Sequence, residues 1–342
     1  MGYLTDLWQL YVSYLLHFLG FFWSPGERLF ALYLLTAVGF AYVVYRVHAW
    51  RRHDGEEDAR TFLGFLLPRR VWSHPSAWLD VRYFFFHKLI GHFLLFGVMA
   101  ASSAWAYALV TGGESLAEAA RIGDTRSGAG AYAIAFGYMV GFFVLSDLIA
   151  YTIHYLQHKV PILWEFHKVH HSAEVMHPMS NFREHPIDNL AYLVCIGAGN
   201  GIFMGAAAQF LGYLPSMPAV LGVPLLMFLF NVMGYNLRHS HIWLRWPGNW
   251  SKVFPSPAHH HVHHSCHPDH IDKNFAFMFP VWDVIFKTYE LPEDNRDVRF
   301  GVAGMRAEEL DSCAKLYLVP FRNVARRLRR SKKAKEAVSP AE

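Results

Sequence analysis

Charged side chains are scarce in this chain of 342 residues, at 17% of the total, against about 25% in an ordinary soluble domain. That shortage excludes a conventional soluble globular class. Cysteine is scarcer still: Cys195, Cys266 and Cys313 stand far apart and form no CxxC pair. A disulfide framework and a cysteine-built zinc or iron–sulfur site are thereby excluded, and a reduced cytoplasmic environment fits. Cys266, just past His264, is placed where a soft ligand is conceivable, although a bystander role suits it better. Phosphate-cradling glycine loops are missing too. Gly197-Ala-Gly199-Asn-Gly201 lacks the GxGxxG spacing and lies inside an apolar run, where small residues serve close helix packing. No Ser-His-Asp arrangement and no haem, flavin or iron–sulfur segment is recognisable, so nothing supports nucleophilic catalysis or a built-in electron carrier.

What is abundant is apolar. Hydrophobic residues make up 53% and aromatics 16%, concentrated in runs at 7–23, 29–47, 84–110, 131–155, 190–211 and 219–235. Most meet the roughly 20 residues that a helix needs to cross a hydrocarbon layer of about 30 Å. The first is the shortest and suits a re-entrant or interfacial helix. It has no basic leader or small-residue cleavage site, so it is not expected to be a removable signal peptide. The expected fold is an all-α integral membrane protein, a multi-span helical bundle of about six spans. Arg46, Arg51, Arg52, Arg60, Arg69, Arg70 and Arg82 follow the second run. Arg121 and Arg126 follow the third, set among Glu114, Glu118 and Asp124, and the tail carries Arg322, Arg326, Arg327, Arg329, Arg330, Lys332, Lys333 and Lys335. The positive-inside rule then puts both termini and the 46–82 segment in the cytoplasm, under a histidine-rich metal-binding cap on that face. The net charge of +4 owes much to the tail, which is expected to meet anionic lipid head groups and not nucleic acid.

Residues 1–130 read as membrane anchor spans with an amphipathic cytoplasmic connection. There Trp50, Phe62, Phe65 and Trp72 alternate with arginines, as in a helix lying in the interface. Residues 131–290 carry the chemistry. Residues 291–342 form a soluble basic tail, expected to be disordered from about Ser331.

Sixteen of the 22 histidines fall between His154 and His270. They are grouped as His154-x-x-x-His158, His167-x-x-His170-His171 and His260-x-x-His263-His264, with His239 between the last two groups. Residues three and four apart share one face of a helix, so each group aims its imidazoles at a common region. One HxxxH pair is commonly incidental, and His259-His260-His261 alone would resemble a tag or a solvated loop. Repeated groups beside apolar runs point to a metal site. An all-imidazole set suits iron, zinc or copper and disfavours magnesium and calcium. It also exceeds the four ligands of structural zinc, which points to a two-metal centre.

In this order and on a membrane scaffold, the boxes resemble the sterol desaturase and fatty acid hydroxylase superfamily of integral-membrane non-haem di-iron enzymes. Asp147, Arg183-Glu-His185-Pro186, His239-Ser240, Ser256-Pro257, Asp272-Lys-Asn274-Phe275 and Trp282-Asp283-Val-Ile-Phe286 add to the likeness, which covers about residues 140–290. The resemblance implies a fatty acid hydroxylase-like catalytic region in which His154, His158, His167, His170, His171, His239, His260, His263 and His264 ligate two iron ions. His185, His241, His177 and His259 are weaker candidates. Asp147, Glu165, Asn231, Asn236 and Asp272 are expected behind the ligands. Three positions depart from the family pattern: His241 where Asn is common, and Ala276 and Lys287 where Gly is usual.

The implied activity is hydroxylation of a C–H bond of a lipid (fatty acyl, sterol or related) with O2 as co-substrate. Desaturation on the same centre is the alternative. Electrons are expected from an external donor: a ferredoxin, a cytochrome b5-type protein or a reductase, drawn to the basic face. Two readings of another class remain, a metal (zinc) transporter and an inert metal-binding membrane protein. Transporters place ionisable ligands near the bilayer midplane, unlike these span-end histidines. No dilysine or KDEL-type ending is present. A bacterial inner membrane is therefore expected, or the endoplasmic reticulum if the source is eukaryotic.

Overall fold

The computed structural model describes residues 2–51, 61–123, 126–292 and 298–338. Arg52, Arg60 and Asp124 lie outside the described residues, and for Trp50, Arg51, Lys332, Lys333 and Lys335 only the backbone is described. The architecture is helical apart from one two-stranded hairpin among the described residues.

Three helices are long and apolar enough to cross a membrane: α3 (Pro75–Thr111), α4 (Ala129–Lys159) and α6 (Pro186–Leu211). Before them stand α1 (Gly2–Leu19) and α2 (Ala31–Arg51), of which Ala31–Val47 is a shorter apolar helix. The chain is an integral membrane protein. Helix α3 is not uniform. A π-helical segment, His87–His92, interrupts it, and Gly97 at φ 81° breaks it again before Val98–Thr111. A tight seam joins α3 to α6. Gly197, Gly201 and Gly205 recur every four residues on α6, and a Cβ at the first two would meet the carbonyls of Met99 and Ser103 at 2.7 and 2.2 Å. Only glycine permits that approach, and Ser103 Oγ donates to the Gly197 carbonyl across the seam at 2.9 Å. The glycine cluster thus serves helix packing.

Helix α4 has 31 residues, more than the roughly 20 that a hydrocarbon layer requires. Its last turns, with His154 and His158, extend past that length. Val160 ends it in extended conformation, and Pro161 starts α5 (Pro161–His171) at the position where a missing N–H costs nothing.

The sixth apolar run does not form a spanning helix. Ala219–Val220 (β1) and Val223–Pro224 (β2) pair antiparallel, and Leu225–Val232 (α7) follows. Eight residues rise only about 12 Å. Gly222 at φ 78° and Pro224 cut the run, and Gly234 at φ 85° lies near its end. The 50–78 connection also differs from one interfacial helix. Its described part holds two short helices, Phe62–Leu66 and Arg69–Trp72. Phe62, Phe65 and Leu66 pack on Ala37, Ala41 and Val44 of α2 and on Leu237 and Ile242 beside the last histidine box.

That box lies on α8 (Pro257–His263), capped by Ser256, whose side chain accepts from His259 N. The C-terminal segment forms α9 (Cys313–Val338), helical past Ser331, where the composition suggests disorder. Leu316 and Val319 bury one face of α9 against Leu79, Tyr83 and Val169. Asn323 and Arg327 continue it, donating to Glu165 of α5 at 3.0 and 2.7 Å.

Candidate metal centre

Nine histidines converge in two groups, with ring nitrogens within 4.8 Å of one another in each. One holds His154, His158, His167, His171 and His263, and the other holds His170, His239, His260 and His264. Helix geometry explains the division. Positions i and i+4 lie about 40° apart around a helix, while i+3 falls about 60° to the other side. In both HxxHH boxes the outer pair therefore serves one group and the middle histidine the other. His167 and His171 join the first with His263, and His260 and His264 join the second with His170. The rings of His171 and His264 stack at 4.5 Å between centroids, so the groups are adjacent.

In five of the nine the outward nitrogen is held by the protein, whereas the Nδ1 atoms of His170 and His264 make no hydrogen bond. His154 Nδ1 donates to the Phe275 carbonyl at 2.8 Å and His263 Nδ1 to that of Lys273 at 2.9 Å. His167 Nδ1 meets Asp188 Oδ2 at 3.1 Å, and His239 Nδ1 meets Ser180 Oγ at 3.0 Å. His158 Nδ1 lies 3.5 Å from Asp272. That contact, with Lys159 adding to it, holds the Asp272 carboxyl down at about 2.

The inward nitrogens have no such partners. The buried Nε2 atoms of His154, His158 and His263 make no hydrogen bond. Those of His167 and His171 face each other at 3.2 Å, and His260 Nε2 stands 2.9 and 3.0 Å from those of His239 and His264. A neutral imidazole whose Nδ1 donates to a carbonyl keeps a bare lone pair on Nε2. Protonation is also opposed: burial pushes His167, His171, His239, His260, His263 and His264 well below the usual histidine range and His170 to about 4. Neutral lone pairs gathered in a dry space call for a cation, and the nine residues fit a pair of metal ions. His260 differs in its tautomer. Its Nδ1 lies 3.0 Å from Arg238 Nη2, which can only donate, so the neutral ring carries its proton on Nε2. A cation bound there displaces that proton.

The weaker candidates lie outside both groups. His185 caps α6 by accepting from Ile187 N, and its Nε2 meets the Tyr317 carbonyl at 3.1 Å. His241 is tied to the Phe65 carbonyl at 2.7 Å, His177 to Asp80 at 3.1 Å and His259 to Asp283 at 3.4 Å. Cys266 belongs to neither group.

Of the expected supporting residues, Asp272 alone touches one of the nine among the described contacts. Asp147 lies two turns before His154, yet it accepts from Met278 N and Phe279 N at 2.7 and 2.8 Å and so fastens the strand of chain after the last box. Glu165 faces α9, Asn231 pairs with Tyr33, and Asn236 donates to the Arg28 carbonyl. Ser180, Asp188 and Arg238 take the supporting places that spacing does not reveal. Asp188 had one visible signal, an acid in the first turn after Pro186, which helix capping explains equally well. Lys287 at φ 61° occupies a left-handed position, which accounts for glycine being usual there.

A cavity of about 1110 Å3 adjoins the centre, walled by His154, His167, His170, His239 and His260 at one end. Leu95, Phe96, Met99 and Ala100 of α3 line another part of it.

Comparison with known proteins agrees with this geometry. Residues 139–288 match the Fatty acid hydroxylase family. Alkylglycerol monooxygenase of Homo sapiens is 29% identical over 156 residues, 46% of this chain and 31% of that protein. The Danio rerio protein of that name is 27% identical over 155 residues, 44% of this chain and 30% of its own length. Ornithine lipid hydroxylase OlsE of Rhizobium tropici is 25% identical over 165 residues, 48% of this chain and 45% of that protein. The chain thus spans about a third of the alkylglycerol monooxygenases it matches and under half of the ornithine lipid hydroxylase. No solved structure matches. The region 139–288, with its two converging sets of histidines, matches the Fatty acid hydroxylase family and fits the sterol desaturase and fatty acid hydroxylase superfamily.

Proposed function

We propose that this protein is a membrane-bound di-iron oxygenase that hydroxylates a C–H bond of a lipid with O2. The observation that carries the reading is the set of nine converging imidazoles, five of which (His154, His167, His170, His239 and His260) line the wall of a largely apolar cavity. His154, His158, His167, His171 and His263 would hold one iron, and His170, His239, His260 and His264 the other. Irons bound there supply oxygen activation for an unactivated C–H bond. The chain's own residues do the rest. Asp188, Ser180 and the carbonyls of Phe275 and Lys273 fix ring orientation and tautomer. The apolar wall aligns an alkyl chain and excludes water. Asp147 and Asp283 hold the 275–279 segment, whose Phe275, Ala276 and Phe277 line the cavity.

One oxygen atom enters the substrate. The other leaves as water, with electrons and protons from an external donor: a ferredoxin, a cytochrome b5-type protein or a reductase. Exposed Arg69 and Arg70 offer such an acidic partner a basic face. Residues 1–130 act as anchor, 131–290 as the catalytic region and 291–342 as a basic C-terminal segment that meets anionic lipid. The arginine distribution supports placing both termini and the histidine cap on the cytoplasmic side of the membrane.

Lipid mass spectrometry on cells expressing the chain, with His170→Ala as control, tests the reading. A lipid that gains one oxygen only with the wild type is expected. A lipid that loses two hydrogens instead makes the protein a desaturase. With metal and electron donor supplied, no difference between wild type and control overturns the oxygenase reading.

A further inference from the structure

Six charged side chains line the same cavity as the histidines; Asp188 and Arg238 contact His167 and His260, and Glu27, Arg28, Lys88 and Glu184 form a separate quartet. Lys88 belongs to the π-helical segment His87–His92, and Tyr14 Oη donates to its backbone carbonyl at 2.5 Å. A π turn inside a transmembrane helix is uncommon and recurs at functional sites. The Lys88 ammonium lies 4.6 and 5.3 Å over the rings of Phe21 and Phe182. It stands 3.8 Å from the Glu27 carboxylate, longer than a hydrogen bond. Glu27 also meets His17 at 3.2 Å. Arg28 reaches Glu184 through one contact at 3.3 Å and keeps 41% of its side chain accessible.

Arg183 provides an internal standard for a purely structural cation in this protein. It is 2% exposed and donates five hydrogen bonds, to Asp80, Ser76 and Ser172, at 2.5 to 3.2 Å. The cavity quartet is built differently. Its contacts are fewer and longer, and all four side chains line the cavity.

We propose that Glu27, Arg28, Lys88 and Glu184 form a head-group subsite for a zwitterionic lipid. The anionic group of the head meets Lys88 and Arg28, and its ammonium meets Glu27 and Glu184. Two cations and two carboxylates sum to zero, so a zwitterion satisfies both signs at once. A singly charged head leaves one pair unmatched, and an uncharged head leaves both. The alkyl chain follows the apolar wall formed by Leu95, Phe96, Met99 and Ala100. The inference rests on the lipid-oxidising reading of the site, but head-group selectivity is a binding property and needs no turnover.

The test is binding to the purified full-length chain, as isolated and without reductant, measured by native mass spectrometry. The probes are lysophosphatidylethanolamine, lysophosphatidylglycerol and monoacylglycerol of one chain length. The zwitterion is expected to bind about tenfold or more tightly than either other lipid, as charge-assisted hydrogen bonds predict. Lys88→Met should erase the preference over monoacylglycerol, and Lys88→Arg should retain it. If Lys88→Met does not fold, Glu27→Gln tests the other half of the subsite and should erase the preference for the zwitterion over lysophosphatidylglycerol. Equal binding of the three lipids, tighter binding of the anionic one, or a zwitterion preference that survives loss of Lys88 or Glu27 charge overturns the proposal. Because no oxidation takes place in the assay, a failed oxygenase reading leaves this ranking intact, and a failed ranking leaves the oxygenase reading intact.

Discussion

His261 sits between His260 and His263 on the same short helix and is buried as they are, yet its surroundings are of another kind. Its Nε2 meets the Leu237 carbonyl at 3.0 Å, whereas His260 Nε2 meets two other imidazoles and His263 Nε2 meets nothing. The same contrast separates the nine converging histidines from His177, His185, His241 and His259, all held by a carboxylate or a carbonyl. Burial is common to both sets. What distinguishes a candidate ligand is a ring nitrogen turned toward the nitrogens of other imidazoles; in His154, His167, His239 and His263 the other nitrogen is also tied to the scaffold. Histidine count and spacing therefore over-select, and the direction of each ring decides.

The sharpest way to break this comparison is substitution across it. His170→Ala or His263→Ala should abolish lipid oxidation and remove about one of the two ions, read by metal analysis and product yield. His261→Asn should leave the metal content unchanged. A next-smaller effect is expected from the residues behind the rings: Asp188→Asn should weaken metal affinity by about 10- to 100-fold, seen in a metal competition titration. Acidification should act through all nine. The pKa of His170 is lowered from 6.5 to about 4 in the fold, so below 6.5 the unfolded chain binds protons that the folded chain refuses. Its stabilisation is thus complete above pH 6.5 and lost as pH falls through about 4. Thermal unfolding followed from pH 7 downward checks the sign, and metal should be released over the same range. The smallest effect belongs to His241→Asn, which should cost about 1 kcal/mol for one hydrogen bond and release no metal.

Much of this was legible before any coordinates. Helices α3, α4 and α6 follow from apolar runs, and eight of the nine histidines stand in groups at helical spacing, while His239 is implied by the family resemblance alone. The sixth run misled because hydropathy does not register Gly222 and Pro224, which interrupt a helix within it. Asp147 misled in another way. Seven residues do place it on the His154 face, but its carboxylate reaches a distant segment, Met278–Phe279, that spacing cannot bring near. Ser180, Asp188 and Arg238 stayed hidden for the same reason, since their roles arise only when the segments 180–188 and 235–239 fold against the boxes. The glycines of α6 illustrate the opposite case, where a local pattern of small residues carried its meaning directly.

The most direct measurement is the metal content of the purified wild-type chain beside His170→Ala and His261→Asn. The account predicts two irons in the wild type and in His261→Asn, and one in His170→Ala. A single zinc in the wild type, or loss of metal from His261→Asn equal to that from His170→Ala, would contradict it.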